Sequence, residues 1–306
     1  MGNFLVSIII PNYNKAPYLR ETLDSVLSQS FSEWECIIVD DHSSDNSWDI
    51  LEEYISLHTR IKIYKRPVNR KQGGNAARNY AIELAKGEYV AFLDSDDIWQ
   101  PSRLELAIGF LKSQNIESIY SGAIVVRPNS IEKLSSRDVR DGESVFDFIL
   151  SDDVFCPTPS LIMKKELAQE IMFDEDLKRH QDYDFFINAH LISPWKYFEN
   201  FDVQVNWTRA DLKNINYHNC IPFYEKHWEK SINKNMRYKY IVRITSSSVR
   251  ESFQYNTAAY FRDILEKEGY VFSFKEYILF YFPHLFYLLS KIKWFFLGGF
   301  SNSRFL

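Results

Sequence analysis

The stretch of sequence that decides the fold reads Glu88-Tyr89-Val90-Ala91-Phe92-Leu93-Asp94-Ser95-Asp96-Asp97. Tyr89–Leu93 is an apolar run of strand length, so we predict a buried strand over Glu88–Leu93, after Gly87. Three carboxylates then fall within four residues, and they repel one another unless a cation or hydrogen-bond donors compensate. Because carboxylate oxygens are preferred ligands of Mg²⁺ and Mn²⁺, this strand end is suited to a metal ion and an anionic nucleotide. The alternative is an acidic turn that precedes a helix with Pro101 at its first position.

Outward from this stretch, apolar runs of strand length alternate with segments of helical spacing. The predicted strands are Phe4–Ile10, Trp34–Val39, Ile61–Tyr64, Glu88–Leu93 and Ser118–Val126. The predicted helices are Tyr18–Ser28, Trp48–Ile55, Asn75–Ala85 and Pro101–Lys112. Such alternation is typical of an α/β domain with a largely parallel sheet. Ligands of such sheets bind beyond the carboxyl ends of the strands, and the polar clusters of this half of the chain fall at those ends.

From about residue 130 the pattern changes. A polar stretch is followed by helix-like Glu143–Leu150, a short strand Ser160–Met163 and a helix over residues 181–192, and residues 219–268 read as helical and polar. We predict a domain over residues 1–215 that consists of two halves, 1–127 and 128–215. A helical C-terminal extension is predicted over residues 216–306.

Composition and charge limit the class of protein. The 306 residues are 45% hydrophobic and 25% charged, as in an ordinary globular protein. A net charge of −5 argues against a nucleic-acid partner. Cys36, Cys156 and Cys220 lie far apart without metal-ligand spacing, which fits a reducing compartment. The first residues carry no basic flank or cleavage pattern, so we expect a cytoplasmic protein.

The C-terminal segment 273–299 is aromatic and amphipathic. Tyr277–Leu289 is almost entirely aromatic and aliphatic, is interrupted by Pro283, and is followed by Lys291 and Lys293. The run is too short for a transmembrane helix, which needs about 20 predominantly apolar residues. Aromatic residues with nearby lysines suit the membrane interface. The alternative is a terminal helix that packs on the protein body or on a second subunit.

Three further polar loops follow predicted strands. Asn12 and Tyr13, after the first strand, can offer hydrogen bonds or a flat ring to a nucleotide base. Asp41, after the second strand, can accept hydrogen bonds from a base N–H or from ribose hydroxyls. Arg78 lies one turn into the helix after Gly73-Gly74, and this position favours an anion or an electron-rich base edge. Each loop alone is equally explained by an ordinary turn or helix start.

Taken together, these loops resemble a known family. Four motifs match, in order and spacing, those of the inverting family 2 glycosyltransferases: Pro11-Asn12-Tyr13-Asn14, Val39-Asp40-Asp41-His42-Ser43, Ala77-Arg78-Asn79 and Leu93-Asp94-Ser95-Asp96-Asp97. The match covers about the first 110 residues. The resemblance implies the GT-A fold, a Rossmann-like α/β architecture with a mixed, mostly parallel sheet flanked by helices. It also implies transfer of a sugar from a nucleotide donor with a divalent metal ion. In that case residues 1–127 are the nucleotide-sugar-binding half and residues 128–215 the acceptor-binding half.

The resemblance assigns roles to individual residues. Five residues are expected to surround the base and ribose of the donor: Pro11, Asn12, Tyr13, Asp41 and Arg78. Asp94, with Ser95 beside it, is placed near the ribose or sugar. Asp96 is expected to hold Mn²⁺ or Mg²⁺ on the diphosphate. A UDP-sugar is favoured by the habit of the family.

A candidate catalytic base lies in the second half of the chain. His180-Gln181-Asp182-Tyr183-Asp184 resembles the acidic motif of the family, usually Glu-Asp, with Gln181 in place of the glutamate. Asp182 would take the proton of the acceptor hydroxyl as that oxygen attacks the anomeric carbon. The alternatives are that Asp182 caps a helix, or that Asp184, on another face of the helix, is the base.

The predicted function is therefore an inverting hexosyl- or N-acetylhexosaminyltransferase. It would act on a hydroxyl of a glycan or lipid-linked glycan acceptor in bacterial O-antigen, capsule or lipooligosaccharide biosynthesis. The expected location is peripheral, on the inner face of the cytoplasmic membrane, and a homodimer is left open. One alternative is a sugar-phosphate nucleotidyltransferase, which would carry a Gly-rich basic loop directly after the first strand. The other is a non-catalytic sugar-nucleotide-binding or assembly protein.

Overall fold

The computed structural model describes residues 5–207, 215–252 and 254–296. The chain forms two compact units, Met1–Asp211 and Leu212–Leu306. The strands of the first unit are β1 Val6–Asn12, β2 Trp34–Asp40, β3 Ile61–Lys65, β4 Tyr89–Phe92, β5 Ile98–Trp99, β6 Ser118–Ser121, β7 Ala123–Arg127, β8 Ser130–Leu134, β9 Ile162–Lys164, β10 Lys196–Phe198 and β11 Val203–Asn206. Its helices are α1 Ala16–Leu27, α2 Ser47–Leu57, α3 Gly74–Leu84, α4 Arg103–Gln114, α5 Val145–Ile149, α6 Lys165–Ile171 and α7 Gln181–Ile192.

The central sheet has seven strands in the order β10-β6-β9-β4-β1-β2-β3. All neighbours pair in parallel except β9, which runs antiparallel to both β4 and β6. A second sheet has the order β5-β11-β7-β8. The α/β fold with a largely parallel sheet, predicted from the alternating pattern, is confirmed, as is the mixed sheet with flanking helices that the resemblance implies.

Both faces of the central sheet are covered, so the strands in its middle are apolar runs. The side chains of β2 are all buried, as are those of β4, so these strands show no alternation of apolar and polar residues. Helix α1 buries Leu19, Leu23 and Val26, which recur at helical spacing. Parallel β1, β2 and β4 therefore bring the loops that follow them to one edge of the sheet.

Several predicted boundaries were wrong. Helix α4 begins at Arg103, because Pro101 and Ser102 form a turn in which Arg103 N–H donates to the Gln100 carbonyl (3.0 Å). The predicted strand Ser118–Val126 is two strands in different sheets. The chain divides at Gly122, where a Cβ would lie 2.8 Å from the Leu134 carbonyl oxygen.

The short strands also differ from the prediction. The strand predicted at Ser160–Met163 is β9, which begins at Ile162. Strand β1 continues through Pro11 to Asn12, whose carbonyl accepts from Asp41 N–H (2.8 Å). Strands β5, β8, β10 and β11 were not predicted, since each has five residues or fewer and gives little periodicity to read.

The second unit is helical. It contains α8 Ile221–His227, α9 Lys234–Ser252, α10 Tyr255–Lys267, α11 Phe274–Tyr281 and α12 Pro283–Phe296. Within the described part of the chain, no helix combines the length and the apolarity needed to cross a membrane. The predicted aromatic segment 273–299 folds as α11 and α12, and its residues 297–299 lie outside the described residues.

Candidate active site

The loops after β1, β2 and β4 and the start of α3 enclose a cavity of about 380 Å³. All eight residues predicted to bind the donor or the metal line it: Pro11, Asn12, Tyr13, Asp41, Arg78, Asp94, Ser95 and Asp96. Three residues that were not predicted also line the cavity: Lys15, Gly74 and Ala77. Asp182 is not among the lining residues.

The loop after β1 divides its tasks between Asn12 and Tyr13. Asn12 is buried, and its Nδ2 donates to Asp40 Oδ1 (2.7 Å) and Ser43 Oγ (3.2 Å), which joins the loops after β1 and β2. Tyr13 has 48% of its surface exposed, so a face of its ring is accessible in the cavity. Asn12 thus positions the loop, and Tyr13 presents a flat apolar surface.

Asp41 fixes the chain that leads into α3. It is buried, and its carboxylate accepts hydrogen bonds from Arg66 Nε and from Gly73 N–H (2.7 Å). Gly73 adopts φ +128°, a conformation that side chains disfavour. Because each carboxylate oxygen can accept more than one hydrogen bond, Asp41 retains capacity toward the cavity.

Arg78 and Asp94 form an ion pair at the cavity wall. Arg78 Nη2 lies 2.5 Å from Asp94 Oδ1, and the guanidinium carbon lies 5.4 Å from the ring centre of Phe173. A Cβ at residue 74 would approach Arg78 Nη1 to 3.1 Å, so Gly74 leaves room for this arginine. The pair sets the orientation of both side chains.

The acidic loop contains one carboxylate with a structural role. Asp97 is 4% exposed, and its Oδ1 accepts from Asn206 N–H (2.8 Å) while its carbonyl accepts from Thr22 Oγ (2.9 Å). Burial, and next the charges of Asp94 and Asp96, raise the pKa of Asp97 well above its ordinary value. Asn206 Nδ2 also donates to the Asp96 carbonyl (2.6 Å), so β11 holds this loop in place.

Asp96 fits a metal site for which the protein supplies only some of the ligands. Its carboxylate lines the cavity, and its Oδ2 lies 2.5 Å from Lys15 Nζ. Among the described residues, no three His, Cys, Asp or Glu side chains come together as a metal-binding group. Mg²⁺ is commonly held by one or two carboxylates together with substrate phosphates and water, and an accessible Asp96 suits that arrangement.

Asp182 lies in the first turn of α7, electrostatically close to the cavity. Burial raises the pKa of Asp182, with a further contribution from Asp94, whereas backbone N–H groups and Arg78 oppose the rise. Asp184, the alternative base, is buried in the protein and accepts from Asn188 Nδ2 (3.2 Å). Of the two carboxylates, the half-buried Asp182 is the more accessible.

Sequence reasoning missed a link between α3 and the chain before α7. Asn75 Nδ2 donates to the carbonyls of Asp174 and Leu177 (2.8 Å each). Asn79 Nδ2 donates to the Phe173 carbonyl (2.9 Å), and Asn79 Oδ1 accepts from Phe173 N–H (2.7 Å). The spacing of the two asparagines, one helical turn apart and both buried, is the signal that could have indicated a shared role.

Comparisons with known proteins identify the family and the fold of the chain. A sequence model described as Glycosyl transferase family 2 matches residues 7–171. The amylovoran biosynthesis glycosyltransferase AmsB of Erwinia amylovora is 34% identical over 62% of this chain and 65% of its own length. The UDP-Glc:alpha-D-GlcNAc-diphosphoundecaprenol beta-1,3-glucosyltransferase WfgD of Escherichia coli is 38% identical over 43% of this chain. That alignment covers 50% of WfgD, so the chain spans about half to two thirds of these relatives.

Solved structures share the fold. S. aureus TarS 1-349 in complex with UDP-GlcNAc superposes with a TM-score of 0.58 and 18% identity, over 97% of this chain and 93% of that one. The mannosyltransferase PcManGT from Pyrobaculum calidifontis, in complex with GDP-Man and Mn²⁺, gives a TM-score of 0.50 and 18% identity over 94% and 75%. The chain has the GT-A fold and belongs to glycosyl transferase family 2.

Proposed function

We propose that this protein transfers a sugar from a nucleotide-diphosphate donor, with inversion at the anomeric carbon, to a hydroxyl of a glycan or lipid-linked glycan. The observation that carries the proposal is the convergence of an accessible aromatic ring, a guanidinium and an accessible carboxylate on one cavity. These are the groups that a base, an anionic diphosphate and its counter-ion require. Family membership supports the same reaction class.

The donor is proposed to be a UDP-sugar that carries a hexose or an N-acetylhexosamine. The name of WfgD specifies UDP-Glc, and TarS is bound to UDP-GlcNAc. In this proposal Tyr13 stacks on the base, and Pro11, Asn12 and Asp41 line the base and ribose. Arg78 borders the same part of the cavity. Asp94 and Ser95 border the ribose or the sugar.

Asp182 is proposed to act as the general base. The proton of the acceptor hydroxyl passes to the Asp182 carboxylate while the acceptor oxygen forms its bond to the anomeric carbon. The bond from that carbon to the donor phosphate oxygen breaks, and its electron pair leaves with the nucleoside diphosphate. Arg78 and Asp94 orient each other beside the reacting centre. A divalent ion on Asp96, when bound, supplies charge stabilisation of the departing diphosphate.

The two alternatives have weaker support. A nucleotidyltransferase would carry a Gly-rich basic loop after β1. The loop in this chain instead begins Tyr13-Asn14, and Asn14 N–H donates a hydrogen bond to Ser43 Oγ (2.9 Å). A non-catalytic binding protein has no requirement for a half-buried carboxylate at Asp182. Both alternatives remain outcomes of the assay below.

The assay measures release of the sugar and its transfer. We expect Mn²⁺-dependent consumption of a UDP-sugar with a lipid-linked or soluble glycan acceptor, lost in Asp182→Asn by about 10²-fold or more. UDP binding should persist in that variant, because Asp182 does not line the donor cavity. Asp176→Asn, which changes an exposed carboxylate, serves as the control. Full activity of Asp182→Asn would remove this residue from the mechanism.

We also propose a peripheral position on the inner face of the cytoplasmic membrane. On α12, Leu285, Leu288, Leu289 and Ile292 recur at i, i+3, i+4 and i+7 and are between 44% and 58% exposed. The sequence from residue 277 onward contains no Asp or Glu but includes Lys291 and Lys293. An exposed apolar stripe in a segment that contains lysines but no Asp or Glu suits an anionic lipid surface.

Liposome sedimentation tests this placement. The wild type should sediment with vesicles that contain anionic lipid, and Leu285→Ser/Leu289→Ser should remain in solution while it stays folded. Ile131→Ser, which changes an exposed apolar residue of the first unit, is the matched control. If the wild type instead forms a dimer without vesicles, and Leu285→Ser/Leu289→Ser abolishes that dimer, the apolar stripe binds a second copy of the chain.

A further inference from the structure

Lys15 is a cation of the cavity that the motif analysis did not assign. Its backbone is fixed at the start of α1: its N–H donates to Ser47 Oγ (3.2 Å), and its carbonyl accepts from Tyr18 N–H and Leu19 N–H (3.0 Å each). From this anchored position its side chain lines the cavity and reaches Asp96, where Nζ lies 2.5 Å from Oδ2. A fixed backbone and a four-carbon stem let the ammonium move within the cavity.

The pair of Lys15 with Asp96 differs from the other ion pairs of the cavity. Asp41 and Asp94 are matched by Arg66 and Arg78, whose side chains are nearly buried at 8% and 9% exposure. Lys15 and Asp96 keep 28% and 17% exposure. An ammonium is a compact charge on a flexible stem, whereas a guanidinium is a rigid fork that holds one geometry. Of Lys15, Arg66 and Arg78, Lys15 is thus the cation that is most readily displaced.

The position of the ammonium creates a competition. Lys15 Nζ lies against Asp96 Oδ2, and a divalent ion coordinated by that oxygen would repel the ammonium at short range. A displaced ammonium on a stem anchored at the cavity wall remains beside whatever anion fills the cavity. A nucleoside diphosphate carries the negative charges that would receive it.

We propose that Lys15 is an exchangeable cation of the donor site, which neutralises Asp96 in the empty cavity and moves to a phosphate oxygen of the donor when a divalent ion binds Asp96. The inference rests on the proposed function, since it requires a nucleoside diphosphate in this cavity. It makes Lys15 a positioning residue for the donor, and it gives the site a cation that is present even without metal.

We expect Lys15→Gln to weaken UDP binding more in EDTA than in Mn²⁺. In EDTA, Lys15 is the cation that neutralises Asp96, and without it the Asp96 carboxylate would repel the diphosphate, so the Kd for UDP should rise about tenfold, equivalent to about 1.4 kcal/mol. In Mn²⁺ the lost phosphate contact is offset by removal of the competitor for Asp96, so the Kd should rise only about twofold. The ratio of the Kd in EDTA to the Kd in Mn²⁺ should therefore be about fivefold higher for Lys15→Gln than for the wild type.

Isothermal titration of the full chain with UDP measures both Kd values. Lys15→Arg, which keeps the charge, should retain most of the wild-type affinity in EDTA, and it carries the test if Lys15→Gln fails to fold. Lys164→Gln is the matched control, because Lys164 pairs with a carboxylate as Lys15 does and has 30% exposure but lies outside this cavity. The control should leave the ratio unchanged.

The outcomes separate the two proposals. Equal Kd changes in EDTA and Mn²⁺, or no change in either, would overturn the role of Lys15 while UDP binding by the wild type stands. If the wild type binds no UDP, UDP-sugar or GDP-sugar under either condition, the proposed function itself fails, and the inference fails with it.

Discussion

Replacing Asn79 with Ala tests whether α3 positions the chain that carries the proposed base. The change removes three hydrogen bonds: Nδ2 to the Phe173 carbonyl (2.9 Å), Nδ2 to Glu175 Oε1 (3.0 Å) and Phe173 N–H to Oδ1 (2.7 Å). Phe173 is buried, so its N–H and carbonyl would both lose their partner away from water. An unsatisfied buried group costs about 1–3 kcal/mol, and two such groups reduce the free energy of unfolding by about 3 kcal/mol.

The functional effect should fall on the transfer step. The ring of Phe173 lies beside Arg78, and the chain from Phe173 to Leu177 leads to α7 with Asp182 in its first turn. A small misplacement of a reacting group lowers the rate steeply, so we expect kcat to fall at least about tenfold. The Kd for UDP should change by less than about threefold, since the donor-lining residues remain.

Denaturant unfolding, steady-state transfer and UDP titration give the three values. Asn46→Ala is the control, because Asn46 is exposed and makes no capping hydrogen bond, and its substitution should shift stability by less than about 0.5 kcal/mol. A destabilised Asn79→Ala enzyme with unchanged kcat would show that the link supports the fold alone. Loss of UDP binding in a folded variant would show that it supports the donor cavity.

Two further predictions follow from the site. Asp182→Asn should be more stable than the wild type at pH 7, because burial raises the pKa of Asp182 and its ionised form therefore opposes folding. The stability difference should vanish below about pH 4, where Asp182 is protonated even in the unfolded chain, and an equal stability at every pH would contradict it. Gly73→Ala should lower the free energy of unfolding by about 1–3 kcal/mol because of its φ of +128°, whereas Gly109→Ala, at an exposed position of α4, should raise it by up to about 1 kcal/mol. Thermal or denaturant unfolding of both variants measures this contrast, and equal effects would refute the strain argument.

Much of the fold could be predicted because its main strands are buried on both faces. Trp34–Val39 and Glu88–Leu93 are apolar runs of strand length, and the polar residues after them had to meet at one edge of a parallel sheet. The strand predicted at Ser160–Met163 is β9, but its antiparallel place between β4 and β6 was beyond such reasoning. That place depends on pairing partners far away in sequence.

Some residues of the candidate site could likewise be predicted from the sequence, and others could not. Tyr13, Asp41, Arg78 and Asp96 could be proposed because they lie in short motifs next to predicted strands. Lys15 and Asn206 could not, because their roles depend on contacts across 81 and 110 residues of chain. None of the motifs found in the sequence includes Asn206, yet it holds the acidic loop through the Asp96 carbonyl and the Asp97 carboxylate.

We propose that the cavity at the ends of β1, β2 and β4 binds a nucleoside diphosphate with a metal ion at Asp96. Titration of UDP into the wild type in Mn²⁺, and into Asp96→Ala and the exposed-site control Asp176→Ala, tests this proposal. We expect the wild type and the control to bind UDP, and the affinity to fall about tenfold or more in Asp96→Ala, a loss that EDTA reproduces in the wild type. Equal binding by all three proteins, or binding that EDTA does not weaken, would contradict it.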